Sequence, residues 1–249
     1  MSKNVHVITT FNNKGKAVYG DRFVDSNKKY IEEPLRWKLF VYNEDRDDFV
    51  DMAAYKEFCY VADKHLELLG LDAQTNYRYQ AKRFCHKVFA LYTHLMRIKD
   101  RGEYPENLLW FDADVEFFAT PDDRTISEIC PPPTNSITYL NRTAYPHSEP
   151  GFIGFDLASF HSVVEVWYKF YTHNLVFKLR EWHDVIAFDL IREILPVNSI
   201  NLSGDTTQKH VWPTSILSTF CCHNKGPGRK IEAYGSTVSN AIVTDKRLF

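Results

Sequence analysis

The feature that most constrains this chain is a short apolar strand that runs directly into two carboxylates. The apolar residues Leu108 to Phe111 are followed by Asp112 and, two residues further on, by Asp114. A continuous apolar run of this length predicts a strand buried on both faces, which is typical of an α/β sheet. Ligands of open α/β sheets bind beyond the carboxyl ends of the strands, so we expect both carboxylates at a functional edge.

The spacing of these carboxylates indicates a metal site. Side chains at positions i and i+2 of an extended chain point to the same side, so Asp112 and Asp114 face one crevice. Adjacent carboxylates repel one another unless a cation lies between them, and oxygen ligands favour Mg²⁺ or Mn²⁺. The alternative is a pair of solvated turn carboxylates, since Asp is common in loops. Glu116 extends the alternation, either as an outer group of the site or as an ordinary exposed glutamate.

Apolar periodicity predicts alternating strands and helices. The predicted strands span residues 5–11, 38–42, 108–111, 137–140, 151–155 and 197–202. The predicted helices span residues 54–69, 80–99, 158–179 and 184–194, and residues 12–16 are predicted as a polar loop. Strands alternate with helices early and pair locally later, which predicts a mixed, mainly parallel sheet flanked by helices. We expect a single domain over residues 1–249, because no linker-like composition divides the chain.

Composition disfavours several classes of protein. The formal net charge is −2, with the basic residues spread along the chain, which argues against a purely electrostatic nucleic-acid binder. The five cysteines are odd in number and form no Cys-x-x-Cys pair, so neither a disulfide framework nor a zinc site is expected. The first residues lack a signal-peptide core, and no apolar run reaches the ~20 residues that span a bilayer. We therefore expect no membrane segment and a cytoplasmic protein.

A second group of candidate residues lies near the end of the chain, at His223, Lys225, Gly226 and Arg229. A neutral imidazole at His223 can complete the coordination of an Mg²⁺ or Mn²⁺ type of ion. Lys225 and Arg229 supply positive charge for a diphosphate, and Gly226 lets the backbone approach a ligand closely. The alternative is a basic, glycine-rich surface loop.

The order of these motifs resembles a known family. A cationic helix precedes the apolar-Asp-x-Asp strand, and Gly151 to Asp156, Trp182 to Asp184 and the late His-x-Lys-Gly follow it. Over roughly residues 5 to 230, this order is similar to nucleotide-sugar glycosyltransferases of the GT-A fold, nearest to the glycogenin and bacterial galactosyltransferase group. The tail lacks that group's Lys-Pro-Trp, and Trp182 to Asp184 stand where the group has Asp-Gln-Asp. The subgroup and the stereochemistry of transfer therefore stay open.

The resemblance implies a fold, a reaction and a set of site residues. The fold would be an α/β, Rossmann-like GT-A domain. The reaction would move a sugar from a nucleoside-diphosphate sugar, with a UDP-sugar favoured, to an acceptor hydroxyl. Asp112, Asp114 and His223 would hold Mn²⁺ or Mg²⁺. The residues that would contact the donor are Thr9, Thr10 and Asn12 at the base or ribose, Arg83, Lys87 and Asp112, and Lys225, Gly226 and Arg229 at the diphosphate.

Other candidate residues have more than one interpretation. Asp184, at the predicted start of a helix, is the general base of an inverting transfer, a group that grips a sugar in a retaining one, or an N-cap carboxylate. Arg83 and Lys87, one helical turn apart, either contact the donor or form a solvated cationic face. His147 and Glu149 are further candidates on the acceptor side, because they lie in a polar loop that borders the acceptor in folds of this type.

Two other functional classes share parts of this pattern. A phosphatase of the haloacid dehalogenase type also has apolar-Asp-x-Asp, but on its first strand, whereas more than a hundred residues precede the motif here. A non-catalytic nucleotide-sugar binding module would use the same contacts without turnover. The acceptor is left open between a glycan, a protein, a lipid-linked sugar and a modified nucleic-acid base. The size of the chain fits a bacterial or viral source.

Overall fold

The computed structural model describes residues 3–46, 48–72 and 76–224 as strands, helices and connecting turns. The strands are β1 (Val5–Phe11), β2 (Lys38–Asn43), β3 (Asn107–Phe111), β4 (Val115–Phe117), β5 (Ser136–Leu140), β6 (Glu149–Asp156), β7 (Asn198–Asn201) and β8 (Cys221–His223). The α-helices are α1 (Asn13–Gly15), α2 (Asp21–Asn27), α3 (Glu33–Leu35), α4 (Met52–Leu69), α5 (Ala81–Arg101), α6 (Asp123–Ile129), α7 (Leu157–Thr172) and α8 (Asp184–Ile194).

The central sheet has six strands in the order β2-β1-β3-β6-β5-β7. β1 pairs in parallel with β2 and β3, and β5 pairs in parallel with β7. β6 is antiparallel to both β3 and β5, so it alone runs against the other five strands. This confirms the predicted α/β class, with a mixed, mainly parallel sheet flanked by helices, as a GT-A-like fold requires. The carboxyl ends of five strands and the amino end of β6 therefore meet at one edge.

The alternation of side chains along β3 divides the core into two clusters. Leu108 and Trp110 belong to a cluster that also contains the buried faces of α4, α5, α7 and α8. Leu109 and Phe111 point to the opposite face, where they pack with Phe23 of α2 and with other apolar residues. All residues of β3 are buried. A strand covered on both faces needs apolar residues at every position, which is why the apolar run was continuous.

The ends of α4 and α5 follow from local chemistry. The Asp51 side chain accepts a hydrogen bond of 2.9 Å from the Ala54 amide and caps the start of α4. Both helices end at glycines in the left-handed region, Gly70 with φ of 61° and Gly102 with φ of 64°, where other residues are strained. These helices lie within three residues of the predicted ends, and they lead the chain back to the sheet.

The structure differs from the prediction at two helical segments. Residues 12–16 were expected to form a polar loop, but α1 begins at Asn13, because the Asn12 side chain accepts a hydrogen bond of 2.6 Å from the Gly15 amide. Two π-helical turns then connect α1, α2 and α3. The helix predicted over 158–179 ends early, at Thr172, because Asn174 adopts a left-handed conformation before a short 3₁₀ turn at Leu175–Lys178.

A separate pair of short strands completes the described fold. β4 and β8 pair antiparallel, with Val115 opposite His223 and Phe117 opposite Cys221. This pair joins the segment after β3 to the end of the described chain. Among the residues that the structure describes, no helix is long and apolar enough to span a membrane.

Candidate metal centre

The two aspartates of the Asp-x-Asp segment occupy the turn between β3 and β4. The Asp112 amide donates a hydrogen bond of 2.9 Å to the carbonyl of Gly151 at the start of β6. The Asp112 carbonyl accepts one of 3.0 Å from the Val115 amide, which closes the turn. The backbone of both aspartates is therefore fixed at the carboxyl edge of the sheet, where the sequence predicted it.

The third candidate ligand comes from the far end of the described chain. Because Val115 pairs with His223 across β4 and β8, the imidazole lies beside the aspartates. Its Nε2 is 2.9 Å from Asp114 Oδ1 and 3.9 Å from Asp112 Oδ2. One ligand atom from each of the three residues lies within 4.8 Å of the other two. The strand pairing thus brings together the three residues that the resemblance proposed as metal ligands.

The chemistry of this cluster fits a divalent metal ion. Two carboxylates and one imidazole are a ligand set that suits Mg²⁺ or Mn²⁺ when water or substrate oxygens complete the shell. The Asp112 and Asp114 side chains keep 25% and 28% of their surface exposed, whereas the His223 side chain keeps 4%. A bound ion would therefore be held from the protein side and open toward solvent, as a site that also binds a substrate requires.

Neighbouring residues hold the His223 imidazole in place. Its ring packs against Trp212 with a centroid distance of 4.8 Å. A Cβ atom at Gly151 would collide with the ring, so this glycine makes room for the ligand. On the inner side, His223 Nδ1 is 3.8 Å from Glu149 Oε1, and the buried Arg142 guanidinium compensates Glu149 at 3.3 Å. A carboxylate on Nδ1 favours the tautomer whose Nε2 can bind a metal.

Lys87 lies between the metal centre and the start of α8. Its Nζ is 3.1 Å from Asp112 Oδ1 and 2.8 Å from Asp184 Oδ2, and it donates a hydrogen bond of 2.8 Å to the Pro150 carbonyl. Burial opposes the charge on this ammonium, but the two carboxylates outweigh that effect and raise the pKa of Lys87. The solvated cationic face predicted for Lys87 is therefore wrong, since this buried ammonium is the counter-ion of two aspartates.

The hydrogen bonds of Asp112 divide its two oxygens between two tasks. Oδ1 accepts a hydrogen bond of 2.8 Å from the Trp110 indole and contacts Lys87. Oδ2 is the oxygen that faces His223. Because Oδ1 is held by two donors, the carboxylate is oriented with Oδ2 toward the candidate metal position.

Asp184 is buried and is the first residue of α8. The residue in the N-cap position is His183, whose side chain makes no capping bond, so the N-cap interpretation of Asp184 is wrong. His183 Nε2 instead lies 3.1 Å from the Tyr77 carbonyl. The negative charge of Asp184 is stabilised by Lys87 and by its place at a helix N-terminus.

An open cavity of about 410 Å³ lies at the same edge of the sheet. It is bounded by the segments after β1 and β2 and by α4 and α5. Its walls include Asn12, Glu44, Tyr55, Cys59, Lys82 and His86. The half-buried Tyr19 connects this region with the metal centre: burial raises the pKa of its hydroxyl, as do the negative charges of Glu44, Asp114 and Asp112.

The structure places the predicted donor residues at different depths. Thr9 is fully buried within β1, and the Thr10 hydroxyl donates a hydrogen bond of 2.8 Å to the Tyr42 carbonyl of β2. Asn12 lines the cavity, although its side-chain oxygen also caps α1. Arg83 is exposed at the start of α5, and its guanidinium lies 5.4 Å from the ring centre of Tyr77.

The predicted diphosphate residues Lys225, Gly226 and Arg229 lie outside the described residues. The described chain ends at Asn224, whose amide donates a hydrogen bond of 2.9 Å to the Asp114 carbonyl. The Asn224 side chain also donates one of 3.3 Å to Glu116.

Sequence reasoning did not anticipate several residues of this region. Trp110 was assigned to the core, and His86 was treated as an ordinary helix residue. Glu149 was predicted on the acceptor side, whereas the structure places it behind His223. The spacing of His86 one residue before Lys87 was the one available signal, because neighbouring positions at the start of α5 reach the same edge of the sheet.

Comparison with known proteins adds little to this description. No protein-family model matches the chain, and no curated protein matches it. Among solved structures, it is similar to a glycosyltransferase involved in the glycosylation of the major capsid of PBCV-1. That likeness has a TM-score of 0.49 and 8% identity, and covers 90% of this chain and 95% of the other. A likeness of this size assigns no activity, so the function of this chain has to be inferred from its own residues.

Proposed function

We propose that this chain is a metal-dependent glycosyltransferase, which moves a sugar from a nucleoside-diphosphate sugar, with a UDP-sugar favoured, to an acceptor hydroxyl. The observation that carries the proposal is the convergence of Asp112, Asp114 and His223 at the carboxyl edge of the sheet. This edge is where substrates of open α/β sheets bind, and it also holds an open cavity large enough for part of a nucleotide.

Asp112, Asp114 and His223 would hold Mn²⁺ or Mg²⁺ through one oxygen each and the imidazole Nε2. A bound divalent ion stabilises the negative charge that develops on a leaving nucleoside diphosphate. Trp110 and Lys87 orient Asp112, and Glu149 and Gly151 do the same for His223. The protein therefore presents its ligands in one arrangement before the substrate arrives, which lowers the cost of ordering the site.

The cavity beside the metal centre is the proposed location of the donor base and ribose. Asn12 is the predicted donor residue that lines it, while Thr9 and Thr10 form the strand end beneath. Lys225, Gly226 and Arg229 follow directly after Asn224, which is bonded to Asp114. We assign these three residues to the diphosphate, where two cations offset its charge. Arg83 stays a proposed donor contact.

Asp184 is the proposed catalytic carboxylate. Its contact with Lys87 ties it to the same network as Asp112, so the two carboxylates keep a fixed relation. A carboxylate whose charge is stabilised in this way can accept a hydrogen bond from a sugar hydroxyl and orient it for transfer. Lys87 acts on both aspartates through position and charge, and in this proposal it replaces the direct donor contact predicted for it.

The test is sugar release from a panel of nucleotide sugars, with Mn²⁺ and with a chelator. We expect slow hydrolysis of one donor by the wild-type protein, dependent on Mn²⁺ and abolished in Asp112→Asn and Asp114→Asn. Asp100→Asn is the matched control, because it makes the same chemical change at an exposed position near the end of α5. Equal hydrolysis by the site variants and the control would overturn the proposal.

The same assay separates the other two functional classes. Inorganic phosphate released from small phosphoesters, without sugar release from any donor, would indicate a phosphatase. Metal-dependent donor binding with no turnover, even when glycan, protein and nucleic-acid acceptors are supplied, would indicate a binding module.

A further inference from the structure

Two cysteine thiols meet at the wall of the cavity beside the metal centre. Cys59 projects from α4 and lines the cavity, where it is half-buried. Cys85 is buried on α5 and hydrogen-bonds to Cys59, and its thiol also donates a hydrogen bond of 3.1 Å to the Lys82 carbonyl. One thiol of the pair is thus open to small molecules and its neighbour is closed to them.

The groups around Cys59 favour its thiolate. The hydrogen bond with Cys85 lowers the pKa of Cys59 most, and partial burial opposes it. The Tyr55 hydroxyl and the charges of His86 and Lys82 lower this pKa further, to about 7. Tyr55 Oη is itself 2.8 Å from His86 Nε2, so the thiol, the phenol and the imidazole form a continuous polar chain. Low-pKa, accessible thiols beside a second cysteine are the usual sites of reversible oxidation.

We propose that Cys59 and Cys85 form a peroxide-sensitive thiol pair, in which Cys59 is oxidised first and Cys85 then closes a disulfide between α4 and α5. In the first step, the Cys59 sulfur attacks one oxygen of hydrogen peroxide, the O–O bond breaks, and the departing hydroxide takes a proton to become water. In the second step, the Cys85 sulfur attacks the Cys59 sulfenic acid. The S–O bond breaks, and the leaving oxygen departs as water with the Cys85 proton. Two thiols are oxidised, and one peroxide is reduced to two waters.

The other cysteines lack this combination and supply the control. Cys130 is buried near the end of α6, and burial raises the pKa of its thiol to about 12. Burial also raises the pKa of Cys221. At pH 7, a pKa of about 7 gives roughly fiftyfold more thiolate than the ordinary value of 9.0. The lower nucleophilicity of that thiolate removes about tenfold of this advantage, so Cys59 should react about fivefold faster than an ordinary exposed thiol.

The experiment uses the full reduced chain, treated with hydrogen peroxide and analysed by intact mass and peptide mapping. We expect the loss of two hydrogen atoms and a linked pair of peptides that contain Cys59 and Cys85. In Cys85→Ser, oxidation should stop at a Cys59 sulfenic acid, which a cyclic dione reagent traps. Cys59→Ser should give neither product, and the control Cys130→Ser should behave as the wild type does.

A wild-type measurement keeps the test decisive if a variant fails to fold. Alkylation of the reduced native protein by iodoacetamide, followed by peptide mapping, compares the thiols within one sample. Cys59 labelled no faster than Cys130, or a peroxide disulfide between any other pair of cysteines, would overturn the proposal. None of these readouts depends on metal, donor or turnover, so the thiol pair and the proposed transferase activity can fail separately.

Discussion

Replacing Lys87 with methionine should destabilise the folded protein strongly, because it leaves two aspartates facing one another without their cation. The Lys87 side chain keeps only 8% of its surface exposed, and the ammonium lies 3.1 Å from Asp112 and 2.8 Å from Asp184. Methionine has a similar length, so the apolar stem still packs and the main loss is the charge. The Asp184 carboxylate, which is 4% exposed, cannot recover that loss from water.

The expected magnitude follows from the burial of these partners. Removing one member of a buried ion pair costs about 3–5 kcal/mol. Because Asp112 keeps 25% of its side chain exposed, water offsets part of the loss, and we expect the lower end, about 3 kcal/mol. In a chain of this length, 1 kcal/mol corresponds to about 2–4 °C in Tm. The Lys87→Met variant should therefore melt about 6–12 °C below the wild type.

Urea unfolding at pH 7 measures this free energy directly. Lys99→Met is the matched control on the same helix, because Lys99 pairs with Glu165 at a partly exposed position and should cost less than about 1 kcal/mol. Adding Asp184→Asn to Lys87→Met removes the stranded charge and should restore part of the lost stability. A Lys87→Met loss no larger than that of Lys99→Met would refute the account of Lys87 as a buried counter-ion.

Three further predictions concern the metal ligand, acid stability and the cavity. Gly151→Ala should weaken Mn²⁺ binding by at least about tenfold in calorimetric titration, because its Cβ displaces the His223 imidazole. Burial lowers the pKa of His6 to about 4, so the unfolded state takes up the proton first, and stability falls as pH drops from 6.5 towards 4. The fall should reach up to about 3 kcal/mol and be smaller in His6→Gln, measured by urea unfolding at each pH. UDP with Mn²⁺ should slow the alkylation of Cys59 if the donor occupies the cavity, and an unchanged rate would place the nucleotide elsewhere.

The central strands and long helices could be predicted because their patterns reflect local burial. β3 is apolar at every position since it is covered on both faces, and its two sets of side chains enter two clusters. α5 presents a long buried stripe and ends at a glycine, so the predicted span of 80–99 lies close to Ala81–Arg101. Signals of this kind depend on neighbours within one element and need no knowledge of the rest of the fold.

The segments that were not predicted depend on distant partners or on weak local signals. β4 and β8 are three residues each, too short for a periodic pattern, and they exist because they pair with one another across the fold. The segment from Asn13 to Leu35 mixes short α-helical and π-helical turns, whose sequence carries no single period. Its start depended on one capping side chain, that of Asn12.

The candidate site divides in the same way. The Asp112 and Asp114 pair could be predicted from spacing alone, and the place of His223 beside them was proposed from a resemblance. The partners of Lys87 could not be predicted, because they come from the end of β3, from the start of α8 and from the Pro150 carbonyl of β6. Three separate elements have to pack before that network exists, and no periodicity in the sequence encodes it.

The most direct test of the central claim is calorimetric titration of UDP into the protein, with Mn²⁺ and with a chelator. We predict that the wild type and Asp100→Asn bind UDP more tightly with Mn²⁺, by more than about tenfold, and that Asp114→Asn loses this difference. UDP affinity that is indifferent to Mn²⁺, or equally dependent on it in Asp114→Asn, would contradict a donor site built on Asp112, Asp114 and His223.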